Sequence, residues 1–436
     1  MKLYEYARKV NKGIKQKKKD AAGKYLSPVR RIEKVAPIKN GRHVAMTFDD
    51  GPINLPPNPI NESYKCNHSL TALLIEILGE YNAKGTFNVI GTTQHNYPDK
   101  VGKVHSTTWG GKKYDHYPKF GKDKEGGAFN QKKLIKSLIE NGHELSNHGC
   151  HHVLFGPNRL VYNQRNYFKS TSEVYRDLSS LHEYLRDNFN YTMHLSRPPH
   201  YIDKTPGGFD AYDVYAPLQY QYLAASFDGG GWLPTEGDYN KDVDKMVKVL
   251  KRALQQSKDS LNGQIIFHKD GYNMSLMTPV AHALPKHLEL LVNEGYKVVT
   301  VSSLLKLSPF EDIDTKAEYL PRLVELDQAG YIVGYKNNTF QPERPLTKGE
   351  MLMMSVTRQE ASCYYKQAMD DETMKRNIKK HPYYIAYLKY GMLDCISQSD
   401  DLASSEDVKE FNYEKLKKEI KIDNRNSILR RDYIQI

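Results

Sequence analysis

From about residue 40 to residue 307, short apolar runs alternate with longer amphipathic ones, and this alternation constrains the fold most strongly. RHVAMTF (42–48), TFNVIG (86–91), HELSNH (143–148), YLAASFD (222–228) and QIIFHKDG (264–271) read as strands. Between them, SLTALLIEILGEYNAKG (69–85), NQKKLIKSLIENG (130–142), STSEVYRDLSSLHEYLRDNF (170–189), DVDKMVKVLKRALQQS (242–257) and PVAHALPKHLELLVNEG (279–295) carry apolar residues at helical spacing. KVVTVSSLL (297–305) closes the series. Strands that alternate with helices predict a parallel sheet, open or closed into a barrel. In such folds the working residues gather at the carboxyl ends of the strands. Asp49, Asp50, His148, Arg197, Asp228 and His268 all fall just after predicted strands.

The flanks have a different texture. Residues 1–38 form a basic, polar N-terminal arm, 39–307 the α/β domain, and 308–436 a small, mainly helical region. AGYIVGYKNNTFQPERPLTKGEM (329–351) reads as a helical unit with a Gly-rich turn, and HPYYIAYLKYGMLD (381–394) is its weaker echo. The chain has 436 residues, enough for two or three domains, and no stretch approaches the ~18 apolar residues of a membrane helix. Its net charge of +11 is spread widely, with no nucleic-acid motif, and fits a solubilising surface or attraction to an acidic polymer. The four cysteines, Cys66, Cys150, Cys363 and Cys395, lack metal-ligand spacing; Cys66 and Cys150 are a possible bridge in an oxidising compartment. The N-terminus has no apolar run of the secretory kind.

TFDDGP (47–52) places two carboxylates side by side at the end of a strand. Asp, Gly and Pro also make ordinary turns. Adjacent carboxylates repel unless a cation sits beside them. NHGCHH (147–152) supplies two histidines four apart, which share a face if the segment is helical. Alone, such a pair is more often a surface or capping feature. With one TFDDGP carboxylate it makes a two-imidazole, one-carboxylate set with open positions, the donor set of a catalytic divalent metal site. The second Asp is then free to act as general base. His268 is the candidate general acid and Arg197 the candidate partner of an aspartate.

These segments together resemble the NodB-homology polysaccharide deacetylases, carbohydrate esterase family four. TFDDGP is similar to the first motif of that family and His148 to His152 to its H-x-x-x-H. SRPPHY (196–201), SFDGGGW (226–232) and IIFH (265–268) look like the third, fourth and fifth. NAKGTFNVIG and NEGYKVVTVSSLL are also similar to the family, so the resemblance covers about 40–307. It implies a distorted (β/α) barrel and metal-dependent removal of acetyl groups from polysaccharide. By motif, Asp49 is the base, and Asp50, His148 and His152 are the metal ligands. Arg197 tunes Asp49, His268 is the acid, Trp232 walls the substrate groove, and the Tyr201 amide, after Pro198 in RPPHY, holds the oxyanion. Zn is the first expectation for the metal, with Co, Ni or Mn as alternatives.

The sequence departs from the pattern at Gly149, where the family has Ser or Thr, and at Gly231, where it has an Asp that supports the acid; Asp228 is the available substitute. The C-terminal unit resembles an S-layer homology repeat, with Lys348 at the usual Arg. The expected partners are an acetylated glycan such as peptidoglycan or a chitin-like polymer and, through the C-terminal region, cell-wall polysaccharide, with neither nucleic acid nor a membrane span. The resemblance implies an extracellular or wall-associated site of action, and the N-terminal residues leave the export route open. A catalytically impaired protein that binds wall glycans is the rival reading.

Overall fold

The computed structural model describes residues 21–54, 56–57, 69–92, 125–157, 166–231, 238–271, 278–416 and 427–436. They divide into two units: residues 37–307, and residues 21–36 together with 308–436.

The first unit alternates as the sequence predicts. Its strands are β1 (Arg42–Asp49), β2 (Thr86–Val89), β3 (Glu144–Asn147), β4 (Leu195–Ser196), β5 (Gln221–Leu223), β6 (Phe227–Asp228), β7 (Ile265–Lys269) and β8 (Tyr296–Val299). The helices are α1 (Leu70–Glu80), α2 (Lys132–Glu140), α3 (Thr171–Phe189), α4 (Ala211–Tyr215), α5 (Tyr239–Gln256), α6 (Val280–Asn293) and α7 (Val301–Leu307). The strands run in the order β5-β4-β3-β2-β1-β7-β6, with β8 also paired to β1, and the ladders within this unit are parallel. The result is a distorted, incompletely closed (β/α) barrel. Side-chain oxygens start the long helices: Ser69 accepts from the Ala72 amide, Ser170 from Glu173 and Asp238 from Lys241.

β1 is the centre. Its first half pairs with β8 (Arg42↔Tyr296 to Ala45↔Val299) and its second half with β7 (Ala45↔Ile265 to Asp49↔Lys269) and β2 (Thr47↔Thr86 to Asp49↔Asn88). Val44 to Asp49 are all buried, as a strand covered on both faces requires.

The second unit corrects the expectation of an N-terminal arm over 1–38. Residues 21–36 pack into the C-terminal helical unit, and residues 37–38 belong to the barrel. Leu26 bridges Tyr335, and the Arg31 amide donates to the Lys336 carbonyl. The physical reason is Arg30. Its buried guanidinium donates to Asp327 (2.9 Å), Asn338 (3.0 Å) and the Pro309 carbonyl (2.8 Å), and lies 4.2 Å from the centroid of the Phe310 ring. A buried charge is tolerated only with such partners. In LTKGEM, Thr347 and Glu350 form a reciprocal capping box that starts the helix Lys348–Met353. Glu350 also accepts from the Tyr335 hydroxyl (2.5 Å), and the wholly buried Arg430 donates to the carbonyls of Phe340 and Val333. Residues 1–20, and with them the run KQKKK, lie outside the described residues.

Replacing Arg30 with Met leaves Asp327 with Arg358 alone. The expected loss is about 3 kcal/mol, the scale for breaking a buried ion pair from one side. Hydrogen exchange should place that loss in 308–436 and leave the amides of β1 unchanged.

Candidate metal centre and active site

Asp49 ends β1 on a face of the sheet fixed by strand parity. Thr47 and Asp49 share that face, and Phe48 points to the other. Asp49 Oδ1 accepts from Arg197 Nη1 (2.5 Å) and from Asn88 Nδ2 (2.5 Å), and Arg197 also donates to Thr47 Oγ1 (3.0 Å). Arg197 is fully buried; its remaining donors reach the carbonyls of Leu223 and Ala224. One guanidinium thus ties the ends of β1, β4 and β5 together around one carboxylate oxygen.

Asp50 turns away from its neighbour through a left-handed backbone (φ 83°). Its Oδ1 lies 3.3 Å from His148 Nε2 and 3.1 Å from His152 Nε2. His148 Nδ1 lies 2.7 Å from the Arg197 carbonyl, which accepts its proton, so Nε2 is the nitrogen turned toward Asp50. All three donors are buried and lie within 4.8 Å of one another. The donor set, two imidazole nitrogens and one carboxylate oxygen, fits a divalent metal.

HGCHH is not helical. Gly149 (φ 85°) and His152 (φ 52°) fold it into a turn, and the turn brings both imidazoles inward. The turn is braced by side chains on either side of it. The buried Asp177 carboxylate on α3 accepts from the amides of Cys150 (2.8 Å) and His151 (3.2 Å), and Asn147 Oδ1 accepts from the Gly149 amide (2.9 Å).

Asp49, Asp50, His148, His152, Pro198, His200, Tyr201, Phe267 and Lys269 line one small cavity of about 10 Å³, the room of a single water or ion. His200, Phe267, Lys269 and the supporting Asn88 were not singled out from sequence, although each lies in or beside a motif. Lys269 Nζ sits 2.8 Å from Asp50 Oδ2. Burial by itself would raise the Asp50 carboxyl; the Lys269 charge, with His152 and His148, outweighs it and holds that carboxyl well below the usual range. Behind it, Asp270 receives the Thr71 hydroxyl (2.8 Å) and is pushed up to about 7, chiefly by burial, with Asp50 adding to the rise.

Three expected placements are not met. His268 does not face the cavity. It pairs in register with Phe48, so both point to the helix side of the sheet. There its Nδ1 lies 2.6 Å from the Phe267 carbonyl and its Nε2 3.2 Å from His287 Nδ1, and its ring packs edge-on against Phe48. Burial, with the neighbouring His287, lowers it to about 3, and burial lowers His287 to about 4. The Tyr201 amide is already spent on the Pro198 carbonyl (3.0 Å) in a 3-10 turn. Asp228 accepts from the Gly230 amide (2.8 Å) and caps that turn; it is not among the residues lining the cavity. A Cβ on Gly231 would fall 2.2 Å from the Phe267 ring, so an Asp there needs that ring to move. Trp232 and Cys66 lie outside the described residues, as do most of the inserts at 53–68 and 101–128; the Cys150 thiol is buried.

Residues 37–202 match the sequence profile of the polysaccharide deacetylase family, and residues 309–352 that of the S-layer homology domain. Over residues 37–202 the chain is therefore similar to the polysaccharide deacetylases. Among its relatives is the peptidoglycan-N-acetylmuramic acid deacetylase PdaC of Bacillus subtilis, 23% identical over 265 residues. That match covers 61% of this chain and 39% of the relative, so the chain spans well under half of that protein. The peptidoglycan-N-acetylglucosamine deacetylase of Bacillus cereus is 24% identical over 288 residues, 65% of this chain and 97% of that one. The chitin deacetylase of Colletotrichum lindemuthianum is similar over 63% of this chain and 90% of that structure, at 17% identity and a TM-score of 0.42.

Because His268 and His287 are buried neutral in the first unit, the unfolded chain binds protons first as the pH falls below about 6.5. Stability is therefore lost as the pH falls from about 6.5 to about 3. His287→Phe should lose about 1–2 kcal/mol less than wild type between pH 7 and pH 5, read from urea midpoints at the two pH values.

Proposed function

We propose that the deacetylase domain hydrolyses acetamide groups on an N-acetylated polysaccharide, of the peptidoglycan or chitin-like class, with a divalent metal held by Asp50, His148 and His152. The observation that carries this reading is the division of labour between adjacent carboxylates. Asp50 Oδ1 meets two imidazoles, whereas Asp49 is held apart from them by Arg197 and Asn88. The names of the relatives, both peptidoglycan deacetylases, support the substrate class. Zn is the first candidate, and Co, Ni or Mn suit the same donors.

The metal supplies, when bound, a Lewis acid for the acyl oxygen and a lowered pKa for water. Asp49 takes the proton of the attacking water. Its Oδ1 is fully engaged by Arg197 and Asn88, so Oδ2, 3.7 Å from His148 Nε2, is the oxygen that faces the reaction. The leaving amine needs one proton, and the carboxyl that has just gained one returns it. Water is consumed, the C–N bond breaks, and acetate and a free amine result. Phe267, Pro198 and Tyr201 wall the cavity. The S-layer homology domain is proposed to hold the protein on cell-wall polysaccharide, which places its action outside the cell. No described helix is long and apolar enough to cross a membrane.

One observation favours a second reading, a deacetylase fold that binds wall glycans without hydrolysing them. His268, the expected acid, is turned to the helix side and closed in by His287 and Phe48.

Acetate release from peptidoglycan and from chitooligosaccharides decides between the two. Chelated protein should be inactive, added Zn or Co should restore release, and Asp49→Asn should lower the rate about 10²- to 10⁴-fold, the worth of a general base. Saturable glycan binding with no acetate released under any metal establishes the second reading.

A further inference from the structure

Lys269 has no place in the chemistry above, yet it lies closer to the Asp50 carboxylate than either imidazole does. Its ammonium lies 2.8 Å from Oδ2, while both imidazoles address Oδ1. The Lys269 side chain is 14% exposed and that of Asp50 4%. We propose that Lys269 is a built-in counter-ion that keeps the metal-free site folded and at the same time weakens its hold on a divalent metal. This rests on the reading of Asp50, His148 and His152 as a metal site.

The position of Lys269 is imposed by the sheet. Asp49↔Lys269 is a register pair of parallel strands, so both side chains leave the same face. A shift of one residue would bring His268 in, and the structure blocks it. Gly229 packs on the His268 ring so tightly that a Cβ there would lie 1.9 Å from it, and His287 holds its Nε2 at 3.2 Å. The lysine is therefore a fixed neighbour of Asp50 rather than a passing surface contact.

Charge counting gives its consequence. With Arg197 on Asp49 and Lys269 on Asp50, each buried carboxylate has its own cation before any metal arrives. Without the lysine the buried Asp50 carboxylate would lose its ammonium partner, which is costly, and metal binding would relieve that cost. Here the relief has already been supplied. Oδ1 remains open to the metal, so ammonium and dication would share one carboxylate. Neutral or anionic outer partners make a ligand more basic and tighten metal binding; a cation on the second oxygen withdraws charge and repels the metal, so it acts in the opposite sense.

The test uses the full chain, stripped of metal, as wild type, Lys269→Met, Lys269→Arg, and Asp50→Asn combined with Lys269→Met. Thermal unfolding and Zn affinity, the latter by competition with a chromophoric chelator, are measured for each. Metal-free Lys269→Met should unfold at a lower temperature than wild type, added Zn should restore it, and Zn should bind it at least about tenfold more tightly. Lys269→Arg should behave as wild type. The double variant should regain metal-free stability relative to Lys269→Met and lose Zn binding, which separates loss of the ion pair from a general failure to fold. Equal metal-free stability and equal Zn affinity in wild type and Lys269→Met would overturn the role of Lys269. Absence of Zn binding in both would instead overturn the metal assignment on which it rests.

Discussion

The parity of β1 is the constraint on which the site depends. This strand is hydrogen-bonded to β2, β7 and β8, and among the described residues no other strand of the sheet has three neighbours. Its alternation assigns Thr47 and Asp49 to the cavity face and Phe48 to the helix face. Parallel pairing then carries the assignment to β7, where Phe267 and Lys269 follow Thr47 and Asp49, and His268 follows Phe48. Because the side-chain period of a strand is two, a slip of one residue would exchange every member of the two sets. The buried Phe48, stacked on Phe87 at 4.8 Å, makes that slip expensive.

Three carboxylates meet at the end of this strand, and the protein treats each differently. Asp49 is neutralised by a guanidinium that is itself wholly buried and bound to two carbonyls. Asp50 is neutralised by an ammonium and flanked by two imidazoles. Asp270 has only the Thr71 hydroxyl, and its carboxyl is pushed up to about 7, chiefly by burial. Its Oδ2 would lie 1.9 Å from a Cβ on residue 51, so Gly51 is what lets the three groups crowd together. Two aspartates side by side in TFDDGP are therefore not a repulsive pair. Left-handed backbone at Asp50 sends the two side chains to separate cations.

The loop that carries the histidines shows compensation of another kind. Gly149 has no side chain to brace the turn, and the amides of the next two residues, Cys150 and His151, are held instead by Asp177, a helix residue 27 positions along from Cys150. Such an exchange is invisible to a motif, because the motif compares neighbours in sequence and the replacement comes from a neighbour in space. The same holds for the N-terminal segment. Its basic composition reads as an arm, but Arg30 alone has enough buried partners around Asp327 to fasten residues 21–36 into the helical unit.

What the sequence by itself determined is the alternation of strands and helices, the clustering of charged residues after strand ends, and the membership of Asp49, Asp50, His148, His152 and Arg197 in one site. These follow from local signals: hydrophobic period, capping residues and short motifs, each set by residues a few positions apart. Only the tertiary structure decided which side chain of FHK enters the cavity, that the Tyr201 amide is spent within its own turn, and that Asp228 caps a loop. The first of these depends on register between strands more than two hundred residues apart, such as Asp49 and Lys269. Register is fixed by the packing of both faces of the sheet at once, and no local stretch of sequence contains that information.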